Sequence, residues 1–521
     1  MNRDLLARLL DYYHINEEEY ASLIREVDSS NFAMGHQFEK MDEAVAFVKD
    51  VMKDNGKIFI YGDYDADGVM GTSILVKMFK YVNYPVDSYL PNRYQDGYGL
   101  TLKKAQECID NQVALVITVD NGVSAFEPIK LLKDHGVKVL VLDHHTAQEE
   151  LPVADYIIHP LLSHFGETPS SGAFTAFMFS IAFLGRFDKY LAILASISLI
   201  SDMMPLKEYN RDLLRLMIKE YRDGEFYQID ILKDGDPFDE NSIGMKIAPK
   251  INAIGRICET NDINKLVNFF TEDKKENLLH YIEWINETNE FRKNASKEAV
   301  DRLGDIPKGT PAIVYLDDIK EGLLGLVANH LVNKYHVPTI VFSLDHTGES
   351  YKGSCRAPEG FNIVDAFNQL KDLTIVSGGH PQAGGCTVSK DNFEAFKNRF
   401  IEIAKSTPIE YVEKPSVVIK MTEVTMDNYD LVQSFSPFGE SWKAPLFKLE
   451  SINTNSLFFS RNGEHILTQI GNNSKITGFY FSRESVQQNR YVDLIGSLRK
   501  SEYRGIISLE FLIKEIFPNT K

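Results

Sequence analysis

With 521 residues, 44% of them hydrophobic, and a formal charge of −18, the chain is long enough for roughly three domains. It is too acidic to coat nucleic acid by bulk charge, because phosphate binding needs concentrated Lys and Arg. The two most apolar stretches, Phe174 to Gly185 and Tyr190 to Ser201, are split by Arg186, Asp188 and Lys189. Neither reaches the roughly 20 residues of a membrane span, so both read as buried helices. The start, MNRDLLARLLDYYHINEEEY, has no apolar signal core, and Cys108, Cys258, Cys355 and Cys386 are far apart with no CxxC. Both features point to a reducing cytoplasm.

The first half alternates short apolar runs with longer amphipathic ones. The runs are KIFIY (57–61), ALVITVD (114–120), VKVLVLD (137–143) and DYIIHP (155–160). This βαβ rhythm predicts a largely parallel sheet covered on both faces. Residues 211–305 read mostly as helix, and the polar stretch 271–303 reads as a long connector. A second α/β unit starts at GTPAIVYLDD (309–318) and continues through the helix GLLGLVANHLVNKYH and the strand PTIVFS. It closes with the glycine-rich SGGHPQAGG (377–385). From about Glu413, HILTQIG, KITGFYFS, YVDLIGSL and GIISLEFLI give an all-β pattern compatible with a small barrel. The boundaries expected are a catalytic domain over 1–225, a helical connector over 226–305, a substrate-binding α/β domain over 306–405 and a β-barrel over 406–521.

Three of the first-half runs end directly in acid. IYGDYDADGVMG (60–71) carries Asp63, Asp65 and Asp67, the second run ends at Asp120, and the third at Asp143 with His144 and His145. In an open parallel sheet the carboxyl ends of the strands line the ligand crevice, so these residues are expected to converge there. Asp65, Asp67, Asp120 and His144, with Asp202 from ISLISDMMPL, would form a cluster of hard oxygen ligands plus one imidazole. Their repulsion is relieved by protonation or by cations. Mixed carboxylate and imidazole donors favour Mn²⁺ or Mg²⁺, and two ions about 3.5–4 Å apart suit phosphoryl transfer. The competing reading, in which each Asp only caps a helix or turn, is the ordinary one for any single residue.

GDYDADG (62–68), TVDNGVS (118–124), LDHH (142–145) and SDMMPL (201–206) resemble, in order, the four motifs of DHH-family phosphoesterases. APKINAIGRI (248–257), EGLLGLVANHL (321–331), GSCRAPEGFNI (353–363) and SGGHPQAGGCTV (377–388) further resemble its RecJ branch of single-strand-specific DNA exonucleases, including the DHH-associated domain. FSPFGESWKAPLF (435–447) resembles the opening of the OB-fold in that branch. The resemblance implies one metal on Asp65 and Asp120 and a second on Asp67, Asp120, His144 and Asp202, with Asp120 bridging. It implies orienting roles for Asp63 and Asp143, and for His145 a place beside the scissile phosphate as acid or hydrogen-bond donor. Many relatives carry His four residues before the first ligating Asp; this chain has Tyr61, a neutral phenol and a poor substitute, so the resemblance implies a first metal that is weaker, water-completed or recruited by substrate.

For substrate, the glycines Gly378 and Gly379 of SGGHPQAGG offer backbone N–H groups for an anion nest, with His380 and Arg356 as charged partners. Asn252 and Arg256 are candidates for phosphate contacts, with interdomain hydrogen bonding as the alternative. From Ser451 onward nine basic residues face six acidic ones, a local charge of about +3. Phe458, Phe459, Phe479, Tyr480, Phe481, Tyr491 and Tyr503 interleave with them, as in single-strand-binding barrels. In FYF the alternation predicts that Tyr480 points opposite to Phe479 and Phe481.

The expectation is therefore a cytoplasmic, two-metal exonuclease of single-stranded DNA, acting 5′ to 3′ with release of mononucleotides, in repair or recombination. It would work as a monomer away from any membrane, with a single-strand-binding protein or a helicase as candidate partners. Two alternatives stand beside it: a short-oligonucleotide or cyclic-dinucleotide phosphodiesterase, and a repair scaffold that has lost catalysis.

Overall fold

The computed structural model describes every residue except 1–2, 33–36, 346, 408, 410–412, 472–473, 504–505 and 520–521, and the side chains of 261, 502, 503 and 506. Two compact units divide the chain. The larger holds Phe32–Asp202 and Tyr221–Tyr411; the smaller gathers Met1–Asn31, Met203–Glu220 and Val412–Lys521. The expected continuous domain over 1–225 is thus interrupted at both ends, because its first residues and the Glu208–Glu220 helix group with the C-terminal segment.

In the larger unit β1 (Ile58–Tyr61), β2 (Asp87–Tyr89), β3 (Leu115–Val119), β4 (Lys138–Leu142) and β5 (Tyr156–Ile158) form a sheet of order β2-β1-β3-β4-β5, parallel throughout. Every residue of β3 is buried, which explains why its sequence is a continuous apolar run without alternation. The polar three-residue β2 gives no such signal in the sequence. Helices Ala66–Tyr81, Gly172–Leu184 and Lys189–Ser201 pack together, and the last two are apolar around their circumference as buried helices must be. The strand order reverses between β1 and β3, so the crevice lies where Asp63 to Asp67 and Asp120 follow those strands.

The connector region contains the helices Tyr227–Lys233, Ala248–Ile257, Asn264–Thr271 and the 25-residue Leu279–Leu303, in which only Ile285, Asn289, Ala299 and Val300 are buried. It leads into a second sheet of β6 (Ile313–Leu316), β7 (Thr339–Leu344), β8 (Ser350–Arg356), β9 (Val376–His380) and β10 (Ala383–Ser389), ordered β6-β7-β8-β10-β9. Only β6 and β7 run parallel. The glycine-rich segment differs from the expected nest. Gly378 and Gly379 lie in edge strand β9, paired with Gly385 and Gly384, and successive N–H groups of a strand point to opposite edges instead of converging.

The smaller unit carries β11 (Val417–Val418), β12 (Phe447–Asn453), β13 (Ile466–Gln469), β14 (Ser474–Gly478), β15 (Tyr491–Tyr503) and β16 (Ile506–Pro518), ordered β11-β12-β15-β16-β14-β13. Irregular pairing at Leu449/Ile452 and Ile495/Gly496 bends the long strands around one core. The N-terminal helices Arg3–Tyr13 and Glu17–Ile24 insert Leu5, Leu9 and Tyr20 into that core. Tyr13 stacks on both Trp442 and Phe435, and the Arg211 guanidinium donates to the carbonyls of Phe435, Ser436 and Pro437. Strand β14 ends at Gly478, so the alternation expected for FYF does not apply. Phe479 and Tyr480 are both exposed, Tyr480 at 89%, whereas Phe481 packs on the core. The Tyr503 side chain, Arg504 and Lys521 lie outside the described residues. Among the described residues no helix is long and apolar enough to cross a membrane.

Candidate active site

The acidic turn after β1 opens the Ala66–Tyr81 helix. Asp65 is its N-cap, with Oδ1 accepting from Asp67 N at 3.0 Å and Gly68 N at 3.2 Å. Asp67 is buried and accepts from Gly172 N and Ala173 N, both at 2.7 Å, at the start of the Gly172–Leu184 helix. The two aspartates therefore do cap helices, but the caps aim their carboxylates into a shared space, so the capping and clustering readings hold together. Asp120 directly follows β3 with φ +61, a left-handed conformation that costs a non-glycine residue energy. Gly172 is what lets the helix approach it: a Cβ there would stand 2.7 Å from Asp120 Cα and Cβ.

His144 Nε2 lies 3.0 Å from Asp120 Oδ1 and 3.5 Å from both Asp67 Oδ2 and Asp202 Oδ2. His145 is held by Asp143, whose Oδ1 accepts from His145 Nδ1 at 2.8 Å and from the His144 and His145 amides, while Oδ2 accepts from Val123 N at 2.8 Å. Three overlapping sets have donor atoms within 4.8 Å of one another: Asp63, Asp65 and Asp120; Asp67, His144 and Asp202; Asp120, His144 and His145.

The electrostatics are those of acids crowded out of water. Burial first, then the neighbouring Asp65, pushes Asp63 up to about 8; burial and then Asp67 do the same to Asp202. Burial and then Asp67 raise Asp65 and Asp120 as well. Burial, against the pull of Asp67, lowers His144, which leaves its lone pair available. At Asp143 and His145 the balance reverses. Burial opposes charge on both, yet their mutual hydrogen bond outweighs it, holding Asp143 below the usual carboxylate range and His145 at about 9. Asp63 Oδ1 is buried and has no hydrogen-bond partner among the described residues. A divalent cation fits this place: an orphaned oxygen, several raised carboxyls and one neutral imidazole form a hard, oxygen-rich donor set.

Arginines stand close to the acidic turn. Arg256 is lowered to about 10 by burial first, then by the like charges of Arg93, Arg292 and Arg356, with Asp65 pulling the opposite way. Arg356, from β8, donates Nη1 to Cys355 O at 2.7 Å and Ser354 Oγ at 3.2 Å. His380 sits on the same row of the sheet, with Ala383 paired between them. Asn252 accepts from Ala66 N at 2.8 Å and so ties the Ala248–Ile257 helix to the acidic turn.

Residues 57–200 match the N-terminal domain of the DHH family, 309–406 the DHHA1 domain and 416–515 the RecJ OB domain. The chain is a RecJ-like member of the DHH family. It is 28% identical to the single-stranded-DNA-specific exonuclease RecJ of Bacillus subtilis over 98% of this chain and 67% of that one. Against the Haemophilus influenzae protein of the same name the identity is again 28%, over 99% and 96%. A crystal structure of RecJ in complex with Mn²⁺ from Thermus thermophilus superposes with a TM-score of 0.80 at 23% identity, covering 93% of this chain and 72% of that one.

Sequence reasoning missed three residues at this site. Tyr98 places its hydroxyl 2.9 Å from His145 Nε2, and Arg93 lies over the Tyr64 ring at 4.4 Å. Arg93 and Arg292 complete the arginine set. Only NRYQDGYG, with its paired glycines, carried a visible signal, and it is a loop signal. Tyr61 is fully buried in the apolar layer beneath the sheet and donates its hydroxyl to Gly99 O at 2.8 Å; its phenol is therefore committed elsewhere.

Proposed function

We propose that this chain is a divalent-metal-dependent exonuclease of single-stranded DNA. The observation that carries the reading is the cluster of carboxylates and imidazoles whose donor atoms lie within 4.8 Å of one another, with the half-buried Arg256 in electrostatic reach of Asp65. Relatives named as single-stranded-DNA-specific exonucleases, and an OB domain over 416–515, support the choice of substrate.

Asp65 and Asp120 would hold one Mn²⁺ or Mg²⁺, and Asp67, Asp120, His144 and Asp202 a second. Asp63, which falls in the set with Asp65 and Asp120 and has one oxygen without a hydrogen-bond partner among the described residues, would join the first in the place Tyr61 cannot fill. Two cations bound there supply Lewis-acid polarisation of the phosphate and activation of water. The chain's own groups do the rest. Arg256, with Arg93, Arg292 and Arg356, receives a terminal phosphate at one side of the acids, which suits removal of end nucleotides. Asp143 keeps His145 charged beside the scissile phosphate, where it donates a hydrogen bond or proton. Asn252 holds the acidic turn against the arginine-bearing helix. His380 with Gly378 and Gly379 extends the polar row beyond Arg356 as a contact for the following nucleotide. Polarity from 5′ to 3′ with mononucleotide release, and a role in repair or recombination, follow from the resemblance.

Digestion of 5′- and 3′-labelled single strands, duplex and dinucleotide with Mn²⁺, Mg²⁺ or EDTA tests the reading. Metal-dependent release of mononucleotides from the 5′ end of single strands is expected. Cleavage that survives EDTA would sink the mechanism, and release from the 3′ end alone would refute the polarity.

A further inference from the structure

The His145 ring is held at both nitrogens. At Nδ1 the partner is Asp143 Oδ1, which already accepts two backbone amides and can only accept, so Nδ1 carries a proton. That leaves Nε2 facing Tyr98 Oη at 2.9 Å. Tyr98 is 56% exposed, so burial of its ring does not explain its place. It stands between Gly97 and Gly99, at φ +82 and +71, and two left-handed turns project it from the loop.

The loop is fastened on both sides. Tyr61 donates to the carbonyl of Gly99, the residue next to Tyr98, at 2.8 Å. Upstream, Asn92 Nδ2 donates to Cys258 O and Thr260 O, Gln95 Nε2 to Glu259 O, and Tyr94 Oη to Arg256 O at 2.5 Å. Gly322 N, at the foot of the Leu324–Tyr335 helix, donates to the same Tyr94 hydroxyl at 3.4 Å. The loop thus spans from the acidic cluster to the backbone of the arginine-bearing segment.

We infer that Tyr98 is a positioning residue for His145, and that Tyr61 serves the same end by anchoring Gly99; this rests on the nuclease reading of the site. The departure at Tyr61 is then a structural investment in the loop, with the His145 ring as its beneficiary. Loss of a group that orients a reacting side chain costs roughly 10- to 100-fold in activity.

The test uses the full chain and its Tyr98→Phe and Tyr61→Phe variants, which keep the ring and remove one hydroxyl. Expected for Tyr98→Phe are a kcat lower by roughly 10- to 100-fold with KM within about twofold, and unchanged Mn²⁺ affinity by calorimetry. The ¹⁵N spectrum of histidine-labelled, metal-free protein should show the His145 Nε2 resonance displaced. Tyr61→Phe should move both readouts in the same direction by less. Wild-type kcat and an unmoved His145 resonance in Tyr98→Phe would overturn the inference, as would a loss carried by KM alone. A chain that cleaves no single strand under any metal, yet shifts the His145 resonance in Tyr98→Phe, refutes the nuclease reading and upholds the positioning role.

Discussion

His144 Nε2 and Asp120 Oδ1 are 3.0 Å apart, and Asp120 reaches that position only by holding a left-handed φ of +61 next to Gly172. A strained, buried acid at the centre of like charges opposes folding until a cation arrives. Asp120→Asn, which keeps a residue tolerant of that backbone, should lower kcat by at least ~10²-fold while raising the Tm of the metal-free protein. Activity assays with thermal melts check both, and a lower metal-free Tm would contradict the account.

The protonation of Asp63 and Asp202 gives a pH signature. Both carboxyls are raised to about 8 in the fold from an ordinary 3.8. An acid raised in the folded state binds protons that the unfolded chain releases, so its contribution is complete below the unfolded value and lost as pH rises through about 8. The metal-free Tm should therefore fall between about pH 6 and 9, and saturating Mn²⁺ should flatten that slope by taking the protons' place. A metal-free Tm that rises across this window would refute the crowding.

Gly172→Ala tests the close approach directly. The new Cβ would meet Asp120 backbone at 2.7 Å, and Gly172 N also donates to Asp67. Overpacking of this kind costs ~1–3 kcal/mol, and both acids would shift. Weakened Mn²⁺ binding by calorimetry together with a lower Tm is the expected result.

Arg256→Ala and Arg356→Ala should act on binding. A hydrogen bond to a charged group is worth ~1.5–3 kcal/mol, so KM for a 5′-phosphorylated strand should rise roughly 10- to 100-fold. The effect should shrink on a strand lacking that phosphate. Equal losses on both substrates would move these arginines from phosphate recognition to support of the fold.

In the smaller unit, exposed Phe458 and Tyr480 are placed for base stacking, with Tyr480 held outward at φ +63 and its amide donating to His465 Nδ1 at 3.0 Å. Stacking contributes ~1–3 kcal/mol per base, so the double alanine variant should weaken long-strand binding at least fivefold and leave dinucleotide turnover unchanged. Deleting residues 413–521 is the poorer experiment, because it would uncover Leu5, Leu9 and Tyr20 of the N-terminal helices.

The acidic cluster was legible in the sequence because each member directly follows an apolar run or sits at a helix end, where α/β architecture leaves little choice of position. The βαβ rhythm, the helical connector and the C-terminal strands were legible for the same reason: local periodicity reports which face is buried. Arg93, Arg292 and Tyr98 were not, since a lone polar residue in a loop or on an exposed helix has the same local pattern whatever it faces. The strand at 376–380 was misread because a glycine-rich run signals a turn unless a neighbouring strand pairs with it.

By itself, the amino-acid order determined the carboxylate and imidazole chemistry, the order of the domains and the expectation of hard divalent metals. Tertiary structure alone decided that Tyr61 turns beneath the sheet, that Asp63 gathers with Asp65 and Asp120 while one of its oxygens has no partner among the described residues, and that Leu5, Leu9 and Tyr20 complete the core of the C-terminal unit. The reason is physical. Side-chain type and spacing set what a segment can bury or coordinate, whereas the partner it meets depends on contacts between residues distant in the chain.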